Sequence, residues 1–108
     1  MKFRILSTED KKLYTHVRRE DDIYIDNDTG ETIEGTIQLA TGVKDIYDRM
    51  IYEGDVIHVR DQTTGIIANN KPVFFQENRG CFSVLIMGTL AELIDRNFLF
   101  EIVGNVGE

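Results

Sequence analysis

The feature that most constrains this chain is a period of two in its apolar residues, repeated in short runs that Asn, Asp and Gly interrupt. Successive side chains of a strand point to opposite faces, so this period is the mark of half-buried β-structure. Lys2-Phe3-Arg4-Ile5 alternates polar with apolar, and Asp22-Ile23-Tyr24-Ile25-Asp26 does the same before Asn27-Asp28-Thr29-Gly30 closes it. Beyond that cluster Ile33, Gly35, Ile37 and Leu39 share one face, with Thr32, Glu34, Thr36 and Gln38 on the other. Two such runs around an Asn/Asp/Gly cluster read as a hairpin. Gly35 within the second run signals a bulge or a close backbone approach.

Ala40-Thr41-Gly42 separates this hairpin from the next unit. Residues 55–60 put Ile57 and Val59 on one face and Val56, His58 and Arg60 on the more polar one. Residues 61–65 read as a turn and Ile66-Ile67-Ala68 as a short strand. Asn69-Asn70-Lys71-Pro72 reads as a loop, because proline has no amide to give to a central ladder. Residues 73–75 and 81–87 flank Gln76-Glu77-Asn78-Arg79-Gly80, a five-residue hairpin loop with glycine at its end. Thr89-Leu90-Ala91-Glu92 fits a capping box, and Leu90, Leu93 and Ile94 form a stripe, so one short helix is expected near residues 90–96. Phe98, Phe100 and Ile102 then alternate against Leu99, Glu101 and Val103. A strand apolar on both faces is expected to be central or covered on both sides. The reading is mainly β: one domain over residues 1–108, a small curled sheet or barrel. Residues 1–40 form an N-terminal strand and β-hairpin extension, and residues 41–108 a β core with the short helix.

The net charge is −7, and the acidity is spread along the chain. Lys11-Lys12 follows Glu9-Asp10, and Arg18-Arg19 precedes Glu20-Asp21-Asp22. A phosphate backbone is held by clustered cations that release counterions, so direct nucleic-acid binding is disfavoured. Cys81 is the single cysteine, which excludes an intrachain disulfide and a multi-cysteine zinc site and favours a reducing compartment. Lys2 and Arg4 are followed by polar Ser7-Thr8-Glu9-Asp10 where a secretory signal needs an apolar stretch. No run approaches the ~18 apolar residues that span a bilayer, so a cytoplasmic location is expected.

Three patches carry a family resemblance. They are Met1-Lys2-Phe3-Arg4; the pair Thr41-Gly42-Val43-Lys44-Asp45 and Ile51-Tyr52-Glu53-Gly54-Asp55-Val56; and Ile102-Val103-Gly104-Asn105-Val106. In order and content they resemble the opening strand, the central signature and the C-terminal strand of the YopX family, small proteins encoded by phages and prophages, chiefly of Gram-positive bacteria. The resemblance implies a curled β fold and a phage or prophage gene product acting in the bacterial cytoplasm. It brings no catalytic residues. The matching residues (Phe3, Arg4, Thr41, Gly42, Lys44, Asp45, Ile51, Tyr52, Glu53, Gly54, Asp55, Gly104, Asn105) read as fold-makers. Gly54 permits a tight turn into a strand, Asp55 can bond turn amides, and Ile51 and Tyr52 can pack beneath. The chain departs from the family at Ile46-Tyr47-Asp48-Arg49-Met50, where the family carries a glycine-bearing turn. A turn that required a positive φ there would cost more with Asp48 than with glycine.

Other constellations read as ordinary structure. Asp28-Thr29-Gly30 is the triplet of aspartic proteases, but Asp26, Asn27 and Glu31 crowd it with polar groups where that chemistry needs an apolar setting, so a solvated turn is expected. Asp26, Asp28 and Glu31 lack the spacing of a helix-loop-helix calcium site. His16 and His58 lie in no metal-spaced cluster, and His58 could serve Ser83 or Cys81 only through tertiary contacts. Cys81 has only Arg79 near it as a cation and reads as a buried thiol. Phe74, Phe75, Phe82, Phe98 and Phe100 have mainly aliphatic neighbours and read as core. The expectation is therefore a non-enzymatic protein-interaction module without cofactor or metal. It forms a homo-oligomer, with a host or phage protein as a further partner. The competing reading is a nucleic-acid-associated small β-barrel, or an acidic competitor of a host DNA-binding protein.

Overall fold

The computed structural model describes residues 2–86, 89–94 and 97–105. The fold is mainly β, with a curled half-barrel sheet and no helix among the described residues. The chain forms two compact units that divide between Leu39 and Ala40.

The first unit holds β1 (Phe3–Ser7), β2 (Leu13–Tyr14), β3 (Val17–Glu20), β4 (Ile23–Asp26), β5 (Thr32–Ile33) and the first half of β6 (Gly35–Lys44). β1 lies antiparallel to β2 and to residues 35–39 of β6, with Phe3 opposite Leu39 and Ser7 opposite Gly35. β3, β4 and β5 form an antiparallel meander. The expected hairpin forms there, Tyr24 opposite Ile33 and Ile25 opposite Thr32. Gly35 is a close approach: a Cβ would stand 2.0 Å from the Leu6 carbonyl oxygen. The alternation expected along β6 fails, since Ile37 is exposed and Gln38 is buried. Gln38 lies opposite Arg4, and Arg4 Nε donates to Gln38 Oε1 at 2.8 Å. A guanidinium taken from water needs such acceptors, so the polar pair turns inward together.

In the second unit, residues 40–44 of β6 pair with β7 (Met50–Tyr52). β8 (Asp55–Asp61) is the middle strand between β9 (Ile67–Pro72) and β13 (Phe98–Asn105). β10 (Phe74–Gln76), β11 (Cys81–Ile86) and β12 (Thr89–Glu92) form a further antiparallel sheet. The core joins these strands through Ile51, Ile57, Val59, Ala68, Val73, Val84, Leu93 and Phe100.

Phe74 and Phe75, expected in the core, are exposed, and Cys81 is half-buried rather than buried. Three further expectations are corrected here. The helix near residues 90–96 is not present: residues 89–92 are β12, with Val84 opposite Ala91 and Ser83 opposite Glu92. Asp95 and Arg96 lie outside the described residues. A seven-residue helix carries an unfavourable nucleus and few bonds to offset it, whereas β11 offers a full ladder. The Glu92 carboxylate meets Arg79 at 3.6 Å instead of closing a cap. Asn69 to Pro72 are also strand rather than loop, and proline is accommodated because β9 is an edge. Finally, β13 is an edge and not a central strand.

Candidate functional site

The family-like stretch builds a device around that edge. Between Ala40 opposite Tyr52 and Lys44 opposite Met50, three residues of β6 face one of β7, so two extra residues form a bulge. Gly42 provides the bend at φ +81, where nothing lies within 4 Å of the Cβ it lacks. Backbone freedom, not space, is what the glycine supplies. Thr41 Oγ1 donates to the Ile51 carbonyl at 2.7 Å and accepts the Val43 amide at 3.1 Å, replacing the ladder that the bulge interrupts. Gly42, Val43, Leu93 and Ile94 border two adjoining hollows of about 290 and 330 Å³.

The bulge delivers Asp45 to a buried position. Its Oδ1 accepts the amides of Tyr47 and Arg49 at 3.0 and 2.9 Å, which shapes the turn. Its Oδ2 accepts Arg49 Nε at 2.9 Å, Arg49 Nη2 at 2.7 Å and the Ile102 amide at 3.2 Å. Arg49 Nη2 donates to the Ile102 carbonyl at 2.9 Å, and the Ile46 amide donates to the Phe100 carbonyl at 2.8 Å. Phe100 and Ile102 therefore turn backbone groups away from β8, and residues 45–49 satisfy them as a neighbouring strand would. An open edge is a template for unwanted pairing, and this one is closed by a turn. Burial alone would raise the Asp45 carboxyl; the Arg49 guanidinium and the amides of Arg49, Ile102 and Tyr47 outweigh it and hold it below the usual range. Arg49 is held above its usual value by the Asp45 carboxylate. Asp48 takes the positive φ, +64, that glycine fills in the family turn, and Lys44 lies 3.4 Å from its carboxylate on the surface.

The second half of the signature is another turn. Glu53 and Gly54 link β7 to β8, with Gly54 at φ +87, a conformation that glycine adopts without the cost a side chain would bring. The Asp55 carboxylate accepts the Tyr52 amide at 2.8 Å, and Val73 braces the turn by accepting from Gly54 and donating to Asp55. Ile51, Tyr52 and Asp55 are buried. Gly104 lies opposite Val56 and buried Asn105 opposite Asp55, after a bulge at Val103. The structure thus gathers Thr41, Gly42, Lys44, Asp45, Ile51, Tyr52, Glu53, Gly54, Asp55, Gly104 and Asn105 into the second unit. Phe3 and Arg4 lie in the first, where Phe3 meets Tyr24 edge-on at 5.9 Å.

The sequence marked residues 98–103 as apolar on both sides, but not the Arg60, Ile67 and Ile46 that complete the outer face of the sheet formed by β13, β8 and β9. Leu99 lies opposite Arg60, and Arg60 opposite Ile67; in the next row Glu101 lies opposite His58. Leu99 is 41% exposed and Ile67 61%, and Ile46 beside them is 51% exposed. These residues line a shallow depression of about 200 Å³. The available signal was the mixed pattern of residues 98–103, apolar on both sides of a strand that proves to be an edge.

The other candidates fall into local structure. Both oxygens of Asp26 serve its own turn, to the Asp28 amide at 2.9 Å and the Thr29 hydroxyl at 3.2 Å. His16 lies 3.6 Å from the Asp28 carboxylate on the surface. His58 Nδ1 accepts the Asn70 amide at 3.2 Å; the Ser83 hydroxyl accepts the Gln76 side-chain amide and lies 3.7 Å from Cys81 Sγ. The structure brings His58 to neither Ser83 nor Cys81 by any hydrogen bond among the described residues. No group of three or more His, Cys, Asp or Glu that could hold a metal ion occurs among the described residues, nor does a helix long and apolar enough to cross a membrane.

A fold of short strands closed by the two signature turns is the arrangement expected of the family that the motifs resemble. The model of the family described as YopX protein matches residues 2–108, essentially the whole chain, and the protein belongs to the YopX family. No curated protein and no solved structure matches it.

Proposed function

We propose that the protein is a phage- or prophage-encoded, non-enzymatic interaction module of the bacterial cytoplasm that self-associates. One observation carries this reading: the outer face of the β13, β8 and β9 sheet presents Leu99, Ile67 and Ile46 to solvent around a depression. Large apolar side chains grouped on one face mark association surfaces more often than isolated ones do. The engagement of His58, Ser83 and Asp26 in local bonds is consistent with a role that makes no use of them as catalysts. Sedimentation velocity over a hundredfold concentration range tests it. Rising mass above the 12.4 kDa chain supports self-association, and a monomer throughout refutes it.

A further inference from the structure

The same sheet face carries a charge pattern that selects its occupant. Arg60 on β8 and Glu101 on β13 occupy one diagonal of a four-residue block, and Leu99 and His58 the other. Opposite charges on such a diagonal stand roughly 7 Å apart at Cβ, within reach of each other's long side chains. Yet neither Arg60 nor Glu101 forms an ion pair among the described residues, although salt bridges occur elsewhere on the chain. The Glu101 charge adds to that of Asp45 in holding Arg49 above its usual value.

From this we infer that the face docks onto a second copy of itself, with each Arg60 set against the other copy's Glu101. The inference rests on the self-association proposed above and adds the surface, the symmetry and the pairing. A face-to-face dimer has its two-fold axis in the plane of contact, and every residue meets the mirror position across that axis. An axis along β8 itself sets Arg60 on Arg60, and one across the strands through Glu101 sets Glu101 on Glu101; these two juxtapose like charges, and axes midway between strands or rows leave Arg60 and Glu101 unpaired with each other. An axis along the diagonal that joins Leu99 to His58 exchanges Arg60 with Glu101. It makes two ion pairs per dimer, one on each side of the axis, with Leu99 and His58 each set on its own copy along it. With strands about 4.8 Å apart and alternate residues about 6.7 Å apart, that diagonal lies roughly 35° from the strands, so the two sheets cross at about 70°. Such an angle approaches the orthogonal class of sheet packing. It also carries each Ile67 past the other β13, toward the flank where Ile46 is exposed.

A three-strand face is small, roughly 300 Å² from strand spacing and rise, against about 800 Å² per partner in stable complexes. An interface of this size belongs to the weak, transient class. Sedimentation equilibrium of wild type, Arg60→Glu, Glu101→Arg and the double swap Arg60→Glu/Glu101→Arg tests the pairing, with Leu99→Lys as an independent probe. The expected result is a tenfold or greater loss of dimerisation in each single variant and in Leu99→Lys, with recovery in the swap. Dimerisation indifferent to Leu99→Lys, or a swap no better than the single variants, overturns this face while leaving self-association intact. A wild-type monomer overturns both. Capture of a different protein by monomeric wild type, abolished by Leu99→Lys, assigns the face to another occupant and overturns the second-copy inference.

Discussion

In the turn after β4, the Asp26 carboxylate is answered by the Asp28 amide and the Thr29 hydroxyl, both within three residues. In the turn after β6, the Asp45 carboxylate takes the same kind of local amides, from Tyr47 and Arg49. Its other oxygen reaches Arg49 and the Ile102 amide, 57 positions along the chain. Both aspartates are buried. One carboxylate serves only its own turn; the other binds its turn to the edge of β13. Similar local chemistry therefore supports different degrees of long-range structure, and the difference lies in which groups stand opposite the second oxygen.

Removing each carboxylate is the strongest way to break this comparison. Asp45→Ala is expected to cost about 3 kcal/mol, because it removes the buried acceptor of the Tyr47, Arg49 and Ile102 amides and leaves those groups without their partner. Asp26→Ala is expected to cost about 1 kcal/mol, the scale of a local turn bond. Urea denaturation measures both, and equal losses would contradict the distinction. Acid should separate them as well. The folded Asp45 carboxyl lies below its unfolded value, so its stabilisation is complete above that unfolded value, about 3.9. It is lost as the pH falls through the depressed folded value. Asp45→Asn should flatten the decline in stability below about pH 4 relative to wild type.

A second contrast concerns two glycines of β6. Gly35→Ala meets the Leu6 carbonyl at 2.0 Å and is expected to cost roughly 2 kcal/mol by overpacking. Gly42→Ala meets no atom but must hold φ +81, and about 1 kcal/mol is expected. Denaturation midpoints in the opposite order would show that the bulge, not the close approach, is the tighter constraint. The smallest effect is a gain. Asp48→Gly relieves a residue at φ +64 and removes only an exposed ion pair, so about 0.5 kcal/mol of added stability is expected. A loss of stability would mean that Lys44 contributes more than surface pairs usually do.

The local period of two made the β class and the hairpin around residues 27–30 legible, because both depend on neighbours in sequence. The same locality misled at residues 89–92, where a capping pattern was outweighed by pairing with β11. It misled again at Gln38, whose burial follows from Arg4 on another strand. The family-like stretch was visible as a unit, but its connection to β13 was not. Nothing around Ile102 announces that its amide is met by Asp45. The outer face formed by Leu99, Arg60, Ile67 and Glu101 escaped for a related reason: those residues become neighbours only through strand register.

Residue-resolved hydrogen exchange of the Ile102 amide, in wild type and in Asp45→Ala, tests the edge closure most directly. Wild-type protection that falls at least tenfold in the variant, while the Glu101 amide facing β8 keeps its own, is the expected result. An Ile102 amide that exchanges freely in wild type, or is unchanged by the substitution, would contradict the closure of β13 by this turn.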